Sequence, residues 1–233
     1  MAVHAEVDLS FNDKRILNAL FDPETLPSSV AKSKNSTTIS SDLPLHPAIP
    51  SSQLSFLESQ QGELINRVSS TSDNATIDGV LLLVEKVLME WPTYPSAYLN
   101  RAMLLRLRSE TNGRTIFDTP ETTEALFTSL SRAIHVSLPS SSPTPVSAYQ
   151  AKILRTAYSH RAYLYLKAAE LGIELNGKEK SDLEELASAD FANAARYGDE
   201  VAREMSVRTN PYAKMCGAIV KNALREERKA ALG

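Results

Sequence analysis

Residues 181–198 read SDLEELASADFANAARYG. On a helix, Ala187, Phe191 and Ala194 fall on one face in the order small, large, small. Small side chains let two helix axes approach, and the ring fills the groove left between them. Such a face needs a partner. The upstream segment AYSHRAYLYLKAAELG (157–172) supplies one, with Ala162 as its small residue after Tyr158.

Working outward, the same arrangement recurs. A second pair carries Tyr98 and Ala102 on its first helix, then Leu126, Leu130 and Ala133 on its second. A first pair carries Gly62, then Val80, Val84 and Val87, and closes at Trp91-Pro92. The step from Val80 to Ala102 suits a register of about 34 residues. Within each pair the two helices lie further apart in sequence than in a compact repeat of that length. The extra residues sit at one place each time: RVSSTSDNATID, SETNGRTIFDTPE and LGIELNGKEKSD. Insertions confined to one edge are what a stacked helical array tolerates. The alternative is a generic helical bundle with coincidental alanine spacing.

Patterning predicts helices at about 53–69, 78–90, 96–109, 120–137, 147–171 and 181–197. Gly198 serves as a C′ glycine, and Asp199 caps a helix to about 208. Pro211 then opens a helix from 212 to about 231. Residues 1–26 form an N-terminal arm whose FNDKRILNALF (11–21) gathers Phe11, Ile16, Leu17, Leu20 and Phe21 on one face before Asp22-Pro23. The arm either caps the main body or serves as a recognition element for a partner. Residues 27–52, rich in Ser, Thr and Pro, read as a disordered linker or an irregular wrap. The organisation is thus an arm (1–26), a linker (27–52), three helix pairs with a capping helix (53–210) and a C-terminal helix (211–233).

Composition restricts function. Lys plus Arg is 25 against 28 Asp plus Glu, a net charge of −3, which leaves no footprint for nucleic acid. No window approaches an apolar membrane span, and the N-terminus lacks the pattern of a secretory signal. A cytoplasmic location follows as the expectation, with the nucleus as an alternative. One cysteine permits neither an intrachain disulfide nor a Cys-rich zinc site.

Four segments, ILNALFDPETLP (16–27), PSAYLNRAMLLRL (95–107), DFANAARYG (190–198) and TNPYAKMC (209–216), resemble the tetratricopeptide repeat protein 36 family in order and spacing. The Asn-Pro-Tyr-Ala string is the most specific, because it lies outside the generic repeat. The Ser-rich segment and lengthened loops mark a divergent version, of fungal type. The resemblance implies an all-α tetratricopeptide-repeat solenoid of three helix pairs plus C-terminal capping helices. It also implies a non-catalytic adaptor or co-chaperone-like scaffold that binds a protein or peptide, with no cofactor. The family is associated with Hsp70-type chaperones and with tyrosine catabolism, where a metabolic enzyme would be the client.

First helices of each pair line the concave face of such arrays. Some related domains clamp a chaperone's terminal carboxylate with Lys, Arg and Asn, since convergent donors form charge-assisted hydrogen bonds. Here only Asn100, two residues after Tyr98, matches. The first helix offers Phe56 and Gln60, and the third offers Thr156 and His160, so no conventional clamp is expected. A different groove is predicted from Asn100, Met103, Arg106, His160, Tyr163 and Lys167, which join adaptable apolar contact to polar tips. Packing of Met103 and Tyr163 against the N-terminal arm is the competing arrangement.

Catalysis has little support. His4, His46, His135 and His160 lie in unrelated segments, and HExxH, P-loop, GxGxxG and GxSxG motifs are all lacking. Cys216 sits among Ala213, Met215, Ala218 and Ile219, which reads as a packed face with a buried thiol. Asp182, Glu184, Glu185 and Asp190 read as a solvated face and not as a metal site. The rival class is a small all-helical enzyme or metabolite-binding protein, which a deep pocket with convergent titrating groups would favour.

Overall fold

The computed structural model describes residues 39–111, 113, 115–139 and 145–232. The arm (1–26) and the first part of the linker lie outside the described residues. The described residues form an all-α protein of eight helices: α1 (Ser51–Ile65), α2 (Asn74–Glu90), α3 (Pro95–Thr111), α4 (Pro120–Ser137), α5 (Ala148–Leu171), α6 (Lys180–Arg196), α7 (Glu200–Thr209) and α8 (Pro211–Leu232). None of the described helices is long and apolar enough to cross a membrane.

Local chemistry sets the boundaries. Asp73 accepts the Thr76 amide at 2.9 Å, so α2 starts four residues earlier than the sequence pattern places it. Helix α1 stops at Ile65, short of the predicted 69, and residues 66–72 make successive turn hydrogen bonds. Ser147 and Gln150 form a reciprocal capping box on α5, satisfying two orphan amides of the first turn. Asp199 caps α7, and Asn210 Oδ1 accepts the amides of Tyr212 and Ala213 at the start of α8. Pro211 fits that first turn because it has no amide hydrogen to leave unpaired. The Asn-Pro-Tyr-Ala string is therefore a helix start.

Consecutive helices pack together, most extensively α5 on α6 and α3 on α4. First helices of successive pairs also touch, α1 with α3 and α3 with α5. The small-residue contacts predicted from the repeat are buried: Ala102, Ala133, Ala162, Ala187, Phe191 and Ala194, together with Val80, Val84 and Val87. Gly62 is a correction. It is exposed with open space around it, and Gln61 takes the buried position. The helix meets α2 and α3 over a short length there, so no small residue is demanded.

Of the two arrangements expected for the linker, residues 39–50 take the irregular wrap and lie against the body. Ser40 donates its amide to Val146, Ser147 Oγ donates to the Leu45 carbonyl at 2.6 Å, and Ile49 and His46 are buried. Two further expectations fail. Cys216 is exposed, because α8 touches α6 and α7 over only a short part of its length. Asp190 is buried and Glu184 is mostly covered, each engaged by a cation instead of facing solvent.

Candidate binding groove

Helix α3, the end of α1 with the turn that follows it, and His160 of α5 line an open cleft of about 340 Å³. Ile65, Val68, Leu104 and Leu107 supply its apolar surface, and Ser69, Ser70 and Glu110 its rim. Of the six residues predicted for a groove, Met103, Arg106 and His160 line this cleft. Met103 keeps 44% of its surface exposed, as does Tyr163, so neither is covered by the described residues.

Arg106 organises the polar side. Its guanidinium lies 5.4 Å from the centre of the Tyr163 ring and its Nε donates to Glu110 Oε1 at 2.7 Å. Tyr163 therefore joins the site through Arg106, although it does not border the cleft itself. Burial and then the charge of Arg106 pull the His160 pKa below its ordinary value, which keeps the imidazole neutral near pH 7. Lys167 pairs with Glu170 at 3.5 Å one turn beyond Tyr163, outside the cleft.

Asn100 has a partner already. Its Nδ2 donates to Gln61 Oε1 at 2.9 Å, tying α3 to α1 one turn before the cleft. Phe56 and Gln60 are exposed on α1, and Thr156 returns its hydroxyl to the Lys152 carbonyl. No cation stands beside Asn100 at those positions.

About two turns before the groove along α1 and α3 lies a hydrogen-bond knot that sequence reasoning missed. Glu58 Oε1 accepts from Tyr94 Oη at 2.7 Å, Tyr149 Oη at 2.9 Å and Ser96 Oγ. Burial, reinforced by Glu58, drives both phenol pKa values well above the ordinary tyrosine range. The phenols therefore stay protonated donors, which suits a structural tie between α1, α3 and α5.

Two arginines were also missed. Arg101 on α3 donates to Glu85 of α2 at 3.1–3.2 Å and to Ser129 Oγ of α4 at 2.8 Å. Arg161 on α5 grips Asp190 of α6 with two bonds, 2.6 and 2.9 Å, and reaches Ser131 Oγ of α4 at 3.0 Å. Each stitches three helices. The signal was visible as Tyr-x-x-Arg-Ala, which occurs at 98–102 and again at 158–162.

Comparison with known proteins locates the chain among relatives. It is 41% identical over 243 aligned positions to the "L-tyrosine degradation gene cluster protein hmgX" of Aspergillus fumigatus, covering 94% of this chain and 93% of that protein. It is 27% identical to the "Tetratricopeptide repeat protein 36 homolog" of Drosophila melanogaster, covering 94% of this chain and 96% of that one. No family model matches the chain. No solved structure matches it.

Proposed function

The chain belongs to the tetratricopeptide repeat protein 36 family, and from that premise we propose that it is a non-catalytic scaffold acting on a client protein of tyrosine degradation. The helix pairs form a short tetratricopeptide-repeat solenoid, with α7 and α8 capping its end. The observation that carries this reading is the open, largely apolar cleft between the first helices, with Met103 and Tyr163 exposed beside Arg106. Methionine, tyrosine and arginine are the residue types that adaptable protein interfaces favour. The client's segment lies across Met103 and the Arg106–Tyr163 pair, with Asn100, His160 and Lys167 beside it.

An enzyme of the tyrosine pathway is favoured over an Hsp70-type chaperone tail. A terminal carboxylate needs convergent cations, and α1 offers Phe56 and Gln60 where a clamp would place them. The protein works in the cytoplasm or nucleus and needs no cofactor.

The test is affinity purification of the full chain from its own cells with quantitative mass spectrometry. Wild type is compared with a Met103→Glu/Tyr163→Ala variant, both positions being exposed. Loss of a tyrosine-pathway enzyme from the variant supports the reading. An identical captured set from both proteins overturns it. A peptide ending in Glu-Glu-Val-Asp should bind weakly, and salt-sensitive binding abolished by Asn100→Ala would restore the clamp.

A further inference from the structure

The lengthened loops do more than extend an edge. The loop before α4 and the loop between α5 and α6 meet beside α4 and border a groove of about 710 Å³. It is a separate cavity from the cleft between the first helices, with no lining residue in common.

Both loops are built to hold shape. In the first, Thr115 and Asp118 are joined by three hydrogen bonds, and buried Thr123 donates to the Ile116 carbonyl. In the second, Gly172 ends α5 at φ 67°, with Ile173 bonding back to Ala168. Asn176 and Gly177, at φ 52° and 72°, then make a two-residue turn closed by reciprocal bonds between Leu175 and Lys178. Asn-Gly is the pair that tolerates two successive positive φ values. Ile173 and Leu175 anchor this loop on Ala168, Ala169 and Leu183.

The groove between them is chemically polarised. Phe127 and Tyr165 pack at 5.0 Å between ring centres, with Phe117 beside them. Arg132 and His135 lie one turn apart on the later part of α4, and Lys178 lies on the turn. Arg132 rests near the Tyr98 ring at 5.8 Å. Among the described residues, none of these three side chains pairs with a carboxylate. Glu174 also borders the groove, as does Glu124, about 12 Å from Arg132 by helical rise. Phe127 lies about 7.5 Å from Arg132 along the helix axis by the same measure, and both residues border the groove.

We propose that this groove is a binding site for a small aromatic carboxylate. The ring inserts against Phe127 and Tyr165, and the carboxylate accepts from Arg132 and His135, with Lys178 over the opening. Ring–ring contact supplies the apolar part, and donors held on a helix select the anion. The site is independent of the client-binding groove, so each stands or falls separately.

The probe is 3-phenylpropionate, titrated into the full chain and followed by calorimetry and by amide NMR. Saturable binding should perturb Phe127, Tyr165 and the 172–178 turn. The neutral amide, 3-phenylpropionamide, should bind about tenfold more weakly, as should the acid to Arg132→Gln/His135→Gln. If that double variant loses its circular dichroism, Lys178→Gln on the exposed turn is used and should weaken acid binding alone. Lack of saturation up to the solubility limit overturns the proposal. So does equal binding of acid and amide, or perturbation confined to the cleft around Met103. Tighter binding of a peptide ending in phenylalanine than of the free acid overturns it in favour of a protein terminus.

Discussion

At the α5–α6 end, where the helices pack most extensively, Ala157, Ala162, Ala187 and Ala194 are all fully buried. At the α1 end, the comparable contact is made by Gln61, a buried amide whose Nε2 has no partner among the described residues. The charged stitches differ in the same direction. The side chains of Arg161 and Asp190 retain 19% and 7% of their exposure, against 24% and 44% for Arg101 and Glu85. One end is close-packed. The other is held by hydrogen bonds donated to Glu58 and by the wrap of residues 39–50. Small residues at the repeat positions let the α5 and α6 backbones approach closely.

That contrast can be broken most forcefully at Asp190. Asp190→Ala strands a largely buried guanidinium and should cost about 3–5 kcal/mol, read as a fall in the urea midpoint. Overpacking the tight interface comes next. Ala187→Leu should cost about 1–3 kcal/mol by thermal denaturation, because rigid neighbours surround a fully buried methyl group.

The α1 end offers a pH test. Burial lowers the His46 pKa below its usual value. The native state therefore resists a proton that the unfolded chain accepts near pH 6.5. Its contribution is complete above about pH 6.5 and is lost as pH falls below that, toward the folded pKa. Native-state hydrogen exchange at pH 7.5 and 5.5 should show α1 loosening in acid, and His46→Gln should flatten the response. The smallest effect belongs to the exposed stitch. Glu85→Ala should cost under about 1 kcal/mol, and a loss equal to that of Asp190→Ala would erase the distinction between the two ends.

Much of this contrast was legible in the sequence. Ala187, Phe191 and Ala194 reveal helix periodicity and close approach together, so the third pair reads clearly. Asp199 and Gly198 announce a break through their cap chemistry. Where the chain relies on long-range polar contacts, the pattern falls silent. Nothing local marks Glu58 as the acceptor of three hydroxyls from residues far along the chain, or Asp190 as buried among other acids. Gly62 has the size that the repeat position calls for, yet the helix turns Gln61 inward in its place. Of the groove residues, Met103, Arg106 and His160 converge because their spacing follows one helical face on α3 and α5. Lys167 sits past the end of the cleft, a matter of helix length that periodicity does not report.

The exposed thiol of Cys216 makes the molecule a ready spectroscopic instrument. With a single thiol in the chain, a maleimide dye or nitroxide attaches at one defined point on the last helix. Any motion of that helix against the rest can then be followed without engineering out competing cysteines.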